Sequence, residues 1–317
     1  MRDIVALGEL LIDFTCQSVD EDGYPTMAAH PGGAPANFLA AATALGGKTA
    51  LLGKVGNDTF GHALIDTLKK ADIETRGLIV ADDVFTTLAF VTLDDAGNRE
   101  FSFARKPGAD TAMTFDELDL SLIDEAKAFH FGTLSLTDEP ARTATVKAVA
   151  YAREQGKLIT YDPNLRPPLW KSLDEARKQL LWGLGQADVV KISDNEVEFL
   201  FGLPPEEGAA HILAHYGVKL VFVTCGADGC YFKNAVAQGR VPALEGARVV
   251  DTTGAGDIFG GSAVWGVLNS EKGPETLGEE ELRSVVRMAC VTAGLSTEKY
   301  GGISSIPTAQ QVKNRLK

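Results

Sequence analysis

DTTGAGDIFGGSAVWGVL, residues 251–268, sets a glycine-rich turn directly before an apolar helix. ARVV, residues 247–250, reads as a strand leading into it, so Gly254, Ala255 and Gly256 fall at a strand-to-helix turn. A helix N-terminus carries about half a positive charge, and glycines let a phosphate approach the backbone closely. Asp257, in the first helical turn, is placed to accept a proton from an attacking hydroxyl. An aspartate there also serves as an ordinary helix cap, so the turn needs companions before it implies chemistry.

Outward from this segment, short β-rich runs alternate with stretches of helical period. IVAL (4–7), TALLGKV (49–55), AFHF (128–131), LITY (158–161), VVKI (189–192) and LVFVT (220–224) are the strands. Residues 141–155, 174–186, 206–216 and 279–295 place apolar side chains at three- and four-residue spacing. This order predicts an α/β fold: a central, mostly parallel sheet with helices on both faces. One region departs from it. TTLAFVTL (86–93) and REFSFA (99–104) are both strand-like and are joined by DDAGN, a hairpin loop containing Gly97. With DFTCQ (13–17) and the stretch near 24–29, the hairpin is expected to form a small β-sheet that covers a ligand cleft or pairs with another subunit.

The 317 residues are 45% hydrophobic and 23% charged, enough to bury a large core. No apolar run reaches the roughly 20 residues that span a bilayer, and the N-terminus reads as a first strand rather than a signal peptide. A net charge of −13 argues against nucleic-acid or acidic-membrane partners. Cys16, Cys225, Cys230 and Cys290 form no CxxC pair and read as reduced thiols; the strand-like N-terminus is what points to the cytoplasm.

HPGGAPANFLAAATALGG (30–47) is a second glycine-rich helix start: Gly32 and Gly33 suit a small polar ligand, and Asn37 offers a donor and an acceptor. Close helix-on-sheet packing explains the alanines as well. DNEVEF (194–199) puts Asn195 and Glu198 on one helix face beyond a strand's carboxyl end, where an amide and a carboxylate can hold water-coordinated Mg²⁺ or simply cap the helix. In VTCGADGCYF (223–232), Gly226 and Gly229 are turn glycines. GGKT (46–49) resembles the end of a phosphate loop, but position 42 is Ala where that loop needs its first glycine. His211 and His215 share a helix face without the glutamate of a zinc protease motif.

Taken together, GELLIDF (8–14), PGGAPAN (31–37), GKVGNDTFG (53–61), the lid segment 88–110, FHFGTLSL (129–136), YDPNLRPPLW (161–170), KISDNEVEF (191–199) and DTTGAGD resemble the ribokinase-like (pfkB-type) family of sugar kinases, most closely its fructokinase branch. The resemblance covers nearly the whole chain in order. It implies a single ribokinase-like domain, 1–317, with a lid formed by about 13–29 and 85–105. It also implies ATP-dependent phosphorylation of a sugar's primary hydroxyl, with Asp257 as base and the Gly254–Ala255–Gly256 turn as anion site.

On the same resemblance Asp13, Gly32, Gly33 and Asn37 grip the sugar, joined by Arg166 and by Arg105 from the lid. Asn195 and Glu198 match the Mg²⁺ and phosphate pair. Thr224, Gly226, Gly229, Gly254 and Gly256 contact nucleotide, and Asp251, Thr253, Ser296, Gly301 and Ser305 surround K⁺. D-Fructose is the first-choice substrate, because a cluster of Lys/Arg for a sugar phosphate is lacking. 2-Keto-3-deoxygluconate follows, its carboxylate suiting Arg166 with Arg105. Ribose and nucleosides come third, and a non-catalytic sugar-binding protein of the same fold stands as the alternative of a different class. A homodimer through the lid is the expected assembly.

Overall fold

In a computed structural model, residues 1–93 and 99–317 are described. The expected loop DDAGN, 94–98, lies outside them. Among the described residues, nine strands form one sheet: β1 (Arg2–Leu7), β4 (Thr49–Gly56), β5 (Leu78–Ala81), β8 (Ala126–Gly132), β9 (Leu158–Asp162), β10 (Val189–Ser193), β11 (Leu220–Thr224), β12 (Cys230–Asn234) and β13 (Gln238–Val241). Their spatial order is β13-β12-β11-β10-β9-β8-β1-β4-β5, parallel from β11 to β5, with β12 and β13 antiparallel at one edge. The parallel strands are near-continuous apolar runs, as strands covered on both faces must be.

Alternate side chains meet different helices. Val5, Leu7, Val190, Ile192, Val221 and Val223 pack on the face carrying α3 (Ser121–Asp124), α4 (Ala141–Glu154), α5 (Leu173–Leu184), α6 (Asp194–Phe201) and α7 (Pro205–Tyr216). Ile4, Ala6, Val189 and Phe222 pack on the face carrying α1 (Ala34–Ala44), α2 (Thr59–Lys70), α8 (Ala255–Leu268) and α9 (Glu279–Ser296). A short α10 (Ala309–Leu316) follows and packs against α9. Within the second layer α8 lies directly on α1. A Cβ at Gly261 would stand 1.9 Å from the Phe38 carbonyl oxygen, so only glycine permits the crossing.

A second sheet has four strands in the order β3-β2-β6-β7: β2 (Leu11–Val19), β3 (Pro25–Gly32), β6 (Leu88–Leu93) and β7 (Arg99–Ala104). The hairpin and the 13–29 region do join, through parallel pairing of β2 with β6. Among the described residues no helix is long and apolar enough to cross a membrane.

One expected strand is not formed. ARVV, 247–250, is irregular, with Val249 62% and Val250 41% exposed. The N–H groups of Val250 and Asp251 both donate to the Thr297 carbonyl, at 2.7 and 3.0 Å, so the segment hangs on the end of α9 instead of extending the sheet. Adjacent valines favour a strand only where a neighbouring edge lies beside them, and here the chain has already left the β13 edge.

Candidate active site

The carboxyl ends of the parallel strands meet the start of α8, and there the polar residues converge. Gly254, in the left-handed conformation (φ 74°), is the N-cap of α8, which has no side-chain cap. Asp257 follows in the first turn and is buried. Asn37 Nδ2 donates to Asp257 Oδ2 at 2.9 Å, and Asn164 Nδ2 donates to Oδ1 at 3.4 Å. The two amides come from α1 and from the loop after β9, so the carboxylate is oriented by elements more than 90 residues away in sequence. Burial pushes the Asp257 carboxyl above the ordinary range, opposed by Lys191, the Asn37 hydrogen bond and Arg166.

Asn37 is itself wedged between two glycines. Cβ atoms at Gly254 and Gly302 would lie 2.9 Å from its Nδ2 and 2.1 Å from its Oδ1. Its buried Oδ1 has no hydrogen-bond partner among the described residues. Asp13, on β2, carries its carboxylate over Gly32, where a Cβ would come within 2.2 Å of Oδ2. Burial raises the Asp13 carboxyl to about 7; Arg166 opposes the rise, and Asp257 and Asp251 add to it. Asp13, Asn37, Arg166 and Asp257 therefore occupy one electrostatic neighbourhood. Gly33 (φ 111°) caps α1 with its Cα against the Glu9 carbonyl.

Arg105 stands apart from this group. Its guanidinium is buried at the root of the small sheet and donates to Asp110 Oδ2, Thr137 Oγ1 and the Leu134 carbonyl. Asp110 also accepts from Thr87, so one carboxylate ties the chain entering β6 to the chain leaving β7.

Asn195 and Glu198 are exposed at the start of α6 and line an open cavity with Asp194 and the 202–205 turn. This oxygen-only, solvated set fits a hydrated hard cation. Thr224 ends β11 and donates to the Ile192 carbonyl. Gly226 (φ 54°) faces open space, whereas Gly229 packs against the 241–243 backbone and is demanded by that turn. Asp251 accepts from Thr253 N and Oγ1 through Oδ1 and from Gly301 N through Oδ2, tying the α8 turn to the 300–305 loop. The hydroxyls of Ser296 and Ser305 donate to the Ala293 and Gly302 carbonyls. Thr253 and Gly301 thus meet the Asp251 carboxylate directly, while the Ser296 and Ser305 hydroxyls bond within their own turns.

Four site residues escape a motif-based reading: Asp162, Asn164, Lys191 and Glu196. Lys191 Nζ donates to Asp162 Oδ2 at 2.9 Å and lies beneath the turn, 2.9 Å from where a Cβ of Gly256 would stand. Burial opposes charge on Lys191, but Asp162, Glu196 and Asp257 around it outweigh that cost and hold its pKa above the ordinary lysine value. Glu196 turns inward to accept from Leu165 N, unlike its exposed neighbours Asn195 and Glu198. The available signal was a charge inside an apolar strand: Lys191 in VVKI and Asp162 ending LITYD.

Comparison with known proteins places this geometry. The family described as pfkB family carbohydrate kinase matches residues 1–309. Fructokinase-2 of Solanum lycopersicum is 43% identical over 319 residues, covering 99% of this chain and 96% of that protein. The structure of fructokinase with bound ATP from Xylella fastidiosa superposes with a TM-score of 0.91 at 29% identity, over 100% of this chain and 98% of that one. A fructokinase double mutant from Vibrio cholerae O395, solved with fructose, ADP and potassium ion, gives 0.87 at 29% identity over 100% and 99%.

Proposed function

The chain belongs to the pfkB family of carbohydrate kinases, and from that premise we propose that it transfers the γ-phosphoryl group of ATP to the primary hydroxyl of D-fructose, giving fructose 6-phosphate. The observation that carries the reaction type is the buried Asp257 carboxylate, oriented by Asn37 and Asn164 at the uncapped start of α8.

Asp257 takes the hydroxyl proton as the oxygen attacks phosphorus, and its raised pKa brings it nearer the working pH of a general base. The Gly254–Ala255–Gly256 turn and the α8 dipole meet the negative charge that develops on the transferred group, and Lys191 adds a fixed positive charge beneath the turn. Asp13, Gly32, Gly33, Asn37 and Arg166 bind and orient the sugar. Thr224, Gly226 and Gly229 border the nucleotide. Asn195 and Glu198 would hold Mg²⁺ through water, and Asp251, Thr253, Ser296, Gly301 and Ser305 would surround K⁺. When bound, these ions neutralise phosphate charge and help order the turn. The small sheet, acting as a lid, excludes water so that ATP is spent on sugar.

A neutral sugar is favoured over 2-keto-3-deoxygluconate because Arg105 is paired with Asp110 and donates to Thr137 and the Leu134 carbonyl, which takes it out of an arginine pair for a substrate carboxylate. We assign Arg105 the role of lid anchor. A cytoplasmic setting fits the four free thiols, and a homodimer formed through the lid, where Val19 and Tyr24 are exposed, belongs to the same reading. A coupled ADP-release assay over fructose, ketodeoxygluconate, ribose and adenosine tests it. Fructose should be turned over best; silence on all four would leave the non-catalytic sugar-binding alternative.

A further inference from the structure

We infer that His30 is a sugar-contacting, specificity-determining residue of this site, hydrogen-bonding a hydroxyl of the acceptor. The inference rests on the fructose reading above and adds a contact to it. His30 lies on β3 directly opposite Asp13 on β2. Residues opposed across an antiparallel pair project from the same face of the sheet, so the imidazole shares the face that carries the Asp13 carboxylate. Asp13 leans along that face over Gly32.

The ring's other boundary is the 300–305 loop. A Cβ on Gly301 would stand 3.3 Å from His30 Nδ1, and Gly301 N donates to Asp251. The next residue, Gly302, backs the Asn37 amide that holds Asp257. His30 thus reaches from the small sheet to the loop supporting the base. Within this setting its Nε2 is buried with no hydrogen-bond partner among the described residues, and so is Asn37 Oδ1 beside Gly302.

Buried polar atoms are costly when unpaired, so two such atoms on side chains that flank adjacent glycines, Gly301 and Gly302, point to a ligand that supplies partners. A polyol fits: each hydroxyl both donates and accepts, matching an amide oxygen and either tautomer of an imidazole. The adjacent Asp13 carboxylate accepts from hydroxyls and repels phosphate, which places the sugar rather than the nucleotide on this face.

The test uses the full chain with wild type, His30→Ala and His30→Asn, assayed with fructose and a set of monodeoxyfructoses. In His30→Ala the KM for fructose should rise about fivefold to tenfold, the yield of one neutral hydrogen bond, while the KM for ATP stays unchanged. One deoxy analogue that is a poor substrate for wild type should carry no extra penalty in His30→Ala, a pattern that lost packing would not produce. Should His30→Ala lower the melting temperature, His30→Asn is scored for the same deoxy pattern. Equal deoxy penalties in wild type and both variants, with fructose active, overturn the His30 contact alone. A wild type silent on fructose overturns the substrate reading and this contact together.

Discussion

Two glycine-rich helix starts look alike in this chain, PGGAPAN before α1 and TTGAGD before α8, yet the fold uses them oppositely. Gly33 and Gly254 are both N-caps with positive φ and no side-chain cap within their own segment. At α1 the gap is filled from outside: buried Glu9 accepts from Ala34 N at 2.8 Å, so a carboxylate of the protein already sits at the positive helix end. At α8 nearby polar groups act on Asp257 and Asp251 instead, Ala255 N turns back to the Thr252 carbonyl at 3.3 Å, and no side chain caps the helix. A turn's sequence makes it competent to bind phosphate. Its neighbours decide whether the protein fills that place itself.

The comparison can be broken first at Asp257. Asp257→Asn should lower kcat by about 10² to 10⁴, with KM for ATP and fructose moved only several-fold, in the coupled ADP-release assay; near-normal turnover would remove Asp257 as base. Because burial raises this carboxyl, wild-type kcat/KM should fall as pH drops through a value above the usual aspartate range, where the base takes up its proton. Next comes Gly254→Ala, which strains a left-handed position and pushes on the Asn37 amide. A base misplaced by a fraction of an ångström to an ångström should cost up to about 10² in kcat with ATP affinity less affected.

At α1 the same kind of lesion should register as stability, not chemistry. Glu9→Ala removes the acceptor of Ala34 N and should cost about 1–3 kcal/mol in denaturant unfolding, whereas Glu9→Gln, which keeps an oxygen there, should cost less. A large kcat loss without destabilisation would show that the two helix starts are not so different. The smallest effect is expected at Asp13. Its folded-state pKa, about 7, lies above the ordinary 3.8, so the fold prefers the neutral form: that contribution is present at low pH and lost as pH rises through about 7. Asp13→Asn should therefore raise the melting temperature relative to wild type at pH 8 and less so at pH 5, while weakening fructose binding.

Much of the fold was legible because parallel strands buried on both faces must be apolar and the segments between them must be amphipathic; IVAL, VVKI and LVFVT could hardly be anything else. ARVV failed for the complementary reason. Its valines satisfy the same local preference, but no strand edge lies beside them and the Thr297 carbonyl captures their backbone. Arg105 shows the same limit in the site. A lid arginine near a sugar cleft looks available in sequence, and only the tertiary placement of Asp110, 134 and 137 shows its donors engaged.

The sequence alone determined the α/β layering, the two glycine-rich helix starts and the family, since each depends on local pattern or on motifs in order. The tertiary structure decided that Glu9 reaches the start of α1, that Asn37 and Asn164 grip Asp257, that Lys191 pairs with Asp162 beneath the α8 turn, and that His30 lies opposite Asp13. Those depend on contacts between residues far apart in the chain, where burial and distance, rather than residue type, set the energy of a polar group.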